Sequence, residues 1–234
     1  MKTWFYNRTG YTLPGMPTVP RCFVELDEYF DARFTTSSPM AHPSVVLAEN
    51  LCRRMADVEL YASYISDTLN RPDTFKGAIL IGTLLVGYFT ACKSLLDAGA
   101  ITLASVYKLS LRNKEMDFSK PKFWKQLKEE TGSIINDRYA PFRILFKEVI
   151  RWRDAAVHRL TPFVITHSPG RPDKTPREKI EIKMADQPDA EISTVVKTPK
   201  SISWVDPLHY HRKWQSQLIE FCKEVCLDIR SQTF

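Results

Sequence analysis

The run from Gly77 to Cys92 constrains this chain more than any other segment. It carries no charge, is built from Ile, Leu, Val, Ala, Tyr and Phe with small residues between them, and stops at Lys93. That is short of the roughly 20 residues a bilayer span needs, so the run is expected to be a buried helix rather than a membrane segment. The apolar pattern reaches further than the run itself and predicts one helix from about Asp73-Thr74 to Leu111. Gly99, in Asp97-Ala98-Gly99-Ala100, is the place where it could bend. A helix of that length cannot cover its own apolar surface and must be the spine of a bundle.

Helical spacing recurs on both sides. Val46, Leu47, Leu51, Met55, Val58, Leu60, Tyr61, Tyr64, Ile65 and Leu69 recur at helical spacing between Pro43-Ser44, which suits a helix start, and Arg71-Pro72, which ends one. A short helix is predicted over Lys120–Glu130, closed by Thr131-Gly132, and another from about Asn136 to Leu160. A last helix opens at Asp206 and runs through Trp214, Leu218, Phe221, Cys222, Val225, Cys226 and Ile229. Two stretches break the pattern. Residues 1–42 are rich in proline and read as an extended arm with short strands around Trp4–Tyr6 and Cys22–Glu25. Pro162–Thr166 and Lys179–Met184 read as the strands of a β-hairpin, with a turn-rich loop over 168–173 and an extended loop over 185–200. The predicted architecture is mainly α, a bundle of about four to five helices. It forms one domain over 43–234 with an N-terminal arm over 1–42 and a β-hairpin insertion at about 162–200.

A chain of 234 residues can bury one sizeable core. Its net charge of +6 and pI near 9.0 favour an anionic partner such as nucleic acid. Basic residues gather in Lys108–Lys128 and Arg143–Arg159, with Phe123, Trp124 and Trp152 among them. That mixture suits stacking on bases, and equally suits amphipathic helices with a solvated basic face. Five cysteines, an odd number at irregular spacing without a secretory leader, point to core thiols in a reducing cytoplasm. Cys222 and Cys226 lie one turn apart behind His209 and His211, a spacing that matches no zinc module, so no metal is expected. The eight glycines form no phosphate loop, and no serine sits in a Gly-x-Ser-x-Gly setting. Nucleotide hydrolysis and acyl transfer are thereby disfavoured, and no cofactor is expected.

The chemistry concentrates in Arg153-Asp154-Ala155-Ala156-Val157-His158. On a helical wheel at about 100° per residue, Phe142, Leu145, Phe146, Val149, Ile150, Trp152, Ala156, Val157 and Leu160 form one apolar arc with Arg153 near its centre. A guanidinium there needs a partner across a helix or subunit seam, or a cleft that admits water or phosphate, because burying it unpaired costs several kcal/mol, roughly. Asp97 is the obvious internal candidate. Lys147, Arg151, Asp154 and His158 share the opposite face. His158 suits proton transfer near neutral pH, Arg153 suits a phosphate through its planar fork of donors, and Asp154, four residues before His158, could hold the imidazole in one tautomer.

This arginine, polar residue and histidine, late in an amphipathic helix and preceded by Lys93-Ser94-Leu95-Leu96-Asp97-Ala98 on a long apolar helix, resembles the signature of the HEPN superfamily. The likeness covers roughly residues 45–160 and the last helix; the arm and the hairpin lie outside it. It implies a metal-independent endoribonuclease acting at a composite site between two protomers, with Arg153 and His158 catalytic and Asp154 in support; the neighbouring Lys147, Arg151 and Arg159 are then expected to attract the RNA backbone. It also implies a homodimer, a toxin or antiphage setting, and an antitoxin or regulatory protein as a further partner, with no membrane involved. The alternative it leaves open is a non-catalytic module that keeps the bundle for dimerisation and for binding nucleic acid or protein. For single residues the plainer readings are a structural ion pair for Arg153, a surface histidine for His158, and helix-surface pairing of Asp154 with Arg151 or Arg159, which would contribute little.

Overall fold

The computed structural model describes residues 20–33, 42–70, 74–158, 162, 164–167, 181–188 and 202–231. Within them the chain is mainly helical with one small antiparallel sheet. The helices are α1 (Arg21–Arg33), α2 (Pro43–Leu69), α3 (Thr74–Val106), α4 (Pro121–Thr131), α5 (Ser133–Tyr139), α6 (Arg143–His158) and α7 (His209–Ser231).

Where periodicity was strong, elements fall where the residues predict them. Pro43 sits in the first turn of α2, and the His42 ring accepts a bond from the Ser44 N–H at 3.3 Å. The face of α2 made by Ala48, Leu51, Met55, Val58, Ala62 and Ile65 is buried, and α2 lies against the long α3. Before α7, Asp206 accepts the Leu208 N–H at 2.7 Å, and its carbonyl accepts the His209 N–H at 2.8 Å.

Other elements differ, each for a local reason. Cys22–Glu25 is not a strand but part of α1, whose Phe23, Leu26 and Phe30 repeat at helical spacing and are buried against α2 and α7. Trp4–Tyr6 lies outside the described residues. The single helix expected from Asn136 to Leu160 is cut by a 3-10 turn at Ala140–Phe142, because Pro141 lacks an N–H and its ring excludes a continuous α-turn. Gly99 is not a bend. Helix α3 runs through it unbroken, and the glycine admits the Phe221 ring of α7, which a Cβ would meet at 2.3 Å. Gly87 receives Tyr61 of α2 in the same way, at 2.2 Å.

As a whole helix, Lys76–Val106 is long and apolar enough to cross a membrane by length and composition, contrary to what the run ending at Lys93 suggests. Half of its most apolar stretch is buried inside the protein, under α2, α6, α7 and the sheet.

The hairpin is the larger part of a three-stranded sheet. β1 (Val164–His167) pairs with β2 (Glu181–Ala185), with Val164 opposite Met184, and β2 pairs with β3 (Trp204–Val205), with Ala185 opposite Trp204. Ile182 and Met184 alternate inward toward α3. Two residues are too few to show alternation, so β3 could not be read from the chain. The loop expected over 168–173 and most of that over 185–200 lie outside the described residues.

Aromatic packing ties the helices together along the bundle. Phe118 stacks on Phe146 at 4.3 Å between ring centres, Phe221 meets Phe118 edge-on at 5.6 Å, and Phe89 of α3 stacks on Trp152 of α6 at 5.0 Å.

Candidate functional site

Helix α6 carries the site residues and lies against α3. Leu145, Phe146, Val149, Trp152, Ala155 and Ala156 are buried. The buried arc is turned slightly from the expected one, since Ala155 is inside and Val157 is 44% exposed. Arg143, Lys147, Arg151 and Asp154 are exposed. The three cations stand four residues apart, so successive ones are about 6 Å apart along the axis, and positions 154 and 158 continue the same face. Glu148 points away from this row: it accepts from Lys213 and from the Trp214 indole N–H of α7, each at 2.9 Å.

Arg153 is not sealed in the apolar arc. Its side chain is 32% exposed, and its Nη1 donates to Oδ1 of Asp154, the next residue on its own helix, at 2.9 Å. Asp97 of α3 also feels its charge. Burial pushes the Asp97 carboxyl above its usual range, while Lys93, bonded to it, and the Arg153 guanidinium pull it back. Lys93 bridges onward to Asp117 at 3.1 Å. Arg153 therefore stands at the edge of a charged seam between α3 and α6, and not in an apolar hole.

Helix α6 stays helical to His158. Positions 153 and 158 thus remain about 140° apart around the axis, and the helix does not loosen to aim both at one atom. The His158 side chain and Arg159 lie outside the described residues.

Beside the cation row runs a groove of about 560 Å³, between the segment Phe118–Trp124 and α6. Its apolar side is Phe118, Trp124, Phe146 and Ile150; its basic side is Arg143, Lys147 and Arg151; among the described residues no carboxylate lines it. The Trp124 indole N–H donates to the Phe118 carbonyl at 2.8 Å, which fixes the ring. The Arg143 guanidinium lies over that ring at 4.8 Å from its centre and donates to Asn136 Oδ1 at 2.8 Å. Arg143 is absent from the site expected from the sequence, although its place four residues before Lys147 was a signal. The part played by Trp124 depends on α4 folding back beside α6, which no local pattern encodes.

A second cavity, of about 770 Å³, lies between the end of α3, α5 and α7. There the buried Asp228 accepts from Tyr139 at 2.6 Å and from Arg138, and Arg138 also meets Glu224 at 3.5 Å. Lys108 and Arg138 stand there beside Glu130, Glu224 and Asp228, so the described lining carries one more acid than base and does not favour an anion. Among the described residues no cluster of three or more His, Cys, Asp or Glu is arranged to hold a metal ion. Cys222 and Cys226 are buried in the core, and His211 points to Glu59 of α2 at 3.7 Å.

Comparison with protein-family models, with curated proteins and with solved structures gives no match.

Proposed function

We propose that this chain cleaves RNA without a metal, at a site formed when two copies bring the C-terminal ends of their α6 helices together, as the HEPN resemblance implies. The observation that carries the reading is the row Arg143, Lys147 and Arg151, which runs along the exposed face of α6 and leads to Asp154 and His158, with Arg153 partly exposed at the same end. A row of cations attracts a polyanion and holds it along the helix. RNA carries its own nucleophile, the 2′-hydroxyl. The site then needs a base for that proton, a cation for the charge growing on the phosphate and an acid for the leaving 5′-oxygen.

In this mechanism the phosphate replaces Asp154 as the anionic partner of Arg153, and the released carboxylate orients His158. One imidazole takes the 2′-hydroxyl proton, and the other copy's imidazole protonates the leaving oxygen. The products are a 2′,3′-cyclic phosphate and a 5′-hydroxyl. The fixed angle of about 140° between positions 153 and 158 on one helix is why the second copy is required.

A second reading is a non-catalytic dimerising and RNA-binding module. The Arg153–Asp154 pair at 2.9 Å favours it, because that guanidinium already has an anion in its own chain. Incubating the protein with labelled RNA in EDTA, beside Arg153→Ala and His158→Ala, separates the two. Cleavage that survives the chelator and falls by at least about 100-fold in His158→Ala supports the nuclease. RNA binding with no cleavage supports the module.

A further inference from the structure

We infer that the groove between the Phe118–Trp124 segment and α6 is a track for single-stranded RNA, in which a base stacks on the Arg143–Trp124 pair while Lys147 and Arg151 hold successive phosphates. This rests on the reading that the chain acts on RNA, and adds the form of the substrate and the residues that select it.

The groove, of about 560 Å³, has the size of a small-ligand site and combines an aromatic wall with a cationic one. Trp124 is held by its bond to the Phe118 carbonyl, so it loses little freedom when a ligand arrives. The guanidinium over it, 4.8 Å from the ring centre, makes a flat cationic surface of the kind on which unpaired bases stack. Phe118 and Phe146, stacked on each other at 4.3 Å beside Trp124, line the same apolar wall.

The cation spacing matches one strand. Steps of four residues place Arg143, Lys147 and Arg151 about 6 Å apart, comparable to the distance between neighbouring phosphates on an extended strand. Among the described residues that line the groove none is a carboxylate, so the charge they present is favourable to the backbone. A duplex cannot use the aromatic wall, because its bases are paired and stacked inside the helix. The track runs toward the Asp154 and His158 end of α6, so it would deliver a splayed strand to the proposed cleavage point.

The test is fluorescence anisotropy with a labelled single-stranded RNA and the matching duplex. It uses His158→Ala protein so that binding is read without cleavage. Single strands should bind at least about tenfold more tightly than duplex. Trp124→Leu should cost about tenfold or more in single-strand affinity, and Trp124→Phe should recover most of it. Lys147→Ala and Arg151→Ala, both at exposed positions, should each lower the slope of log affinity against log salt by about 0.7 without changing thermal unfolding. Equal binding of duplex, or unchanged affinity in Trp124→Leu and in Lys147→Glu, overturns the track while leaving RNA cleavage through Arg153 and His158 standing. Absence of binding to any RNA overturns both.

Discussion

A β-carbon placed on Gly99 of α3 would lie 2.3 Å from the ring Cζ of Phe221 on α7, so the two helices meet there with a ring pressed onto backbone. Gly99→Ala should therefore destabilise the protein by about 1–2 kcal/mol, the strain of overpacking outweighing the roughly 1 kcal/mol that alanine gains in helix propensity. Urea denaturation measures this. Adding Phe221→Leu should recover part of the loss in the double variant. A Gly99→Ala protein as stable as the parent would contradict the close approach.

The Arg153–Asp154 pair is partly exposed, at 32% and 52%, and such pairs contribute at most about 1 kcal/mol. Arg153→Ala and Asp154→Ala should accordingly unfold within roughly 3 °C of the parent. Lost RNA cleavage in either would then report on function and not on misfolding. A large drop in the unfolding temperature would mean that Arg153 is a structural residue of the α3–α6 seam.

Asp228 is 1% exposed and accepts from Tyr139 at 2.6 Å and from Arg138. Removing a buried carboxylate leaves its donors unmatched, at a cost of about 3–5 kcal/mol. Asp228→Ala should lower the unfolding temperature by roughly 10 °C, and calorimetry would show it. Asp228→Asn, which keeps an acceptor for Tyr139, should lose less.

Stability should fall at alkaline pH. Burial pushes the Cys52 and Cys92 thiols up to about 12 and the Tyr88 and Tyr139 hydroxyls well above their ordinary range, with Asp228 adding to the effect at Tyr139. All four hold their protons more tightly folded than unfolded. Their contribution is complete below about pH 8.5, where the unfolded thiols begin to ionise, and is lost as pH rises toward the folded values. The urea midpoint should decline steadily from about pH 8.5 to 11, and less steeply in Cys92→Ala. A flat profile would contradict the burial of these groups.

Much of the helical framework was legible because its cues are local. The expected helix over 43–70 appears as Pro43–Leu69 and the short helix over 120–130 as Pro121–Thr131, each bounded by proline at one end and by proline or glycine at the other. Cys22–Glu25 alone reads as a strand because four residues are too few to separate alternation from a helical step. Pro141 is masked by an otherwise continuous apolar pattern, although its missing N–H is what splits α5 from α6.

The site was legible only in part. The chain alone showed the order Arg153, Asp154, His158 and the basic face of Lys147 and Arg151, since these follow from spacing on one helix. It could not show that Arg153 would take Asp154 as its partner within reach of Asp97, or that Trp124 would stand under Arg143. Periodicity and punctuation act over one or two turns and set which residues share a face. Which faces meet, and so which charge is matched and which aromatic ring lines a groove, depends on helices that packing alone brings together across the chain.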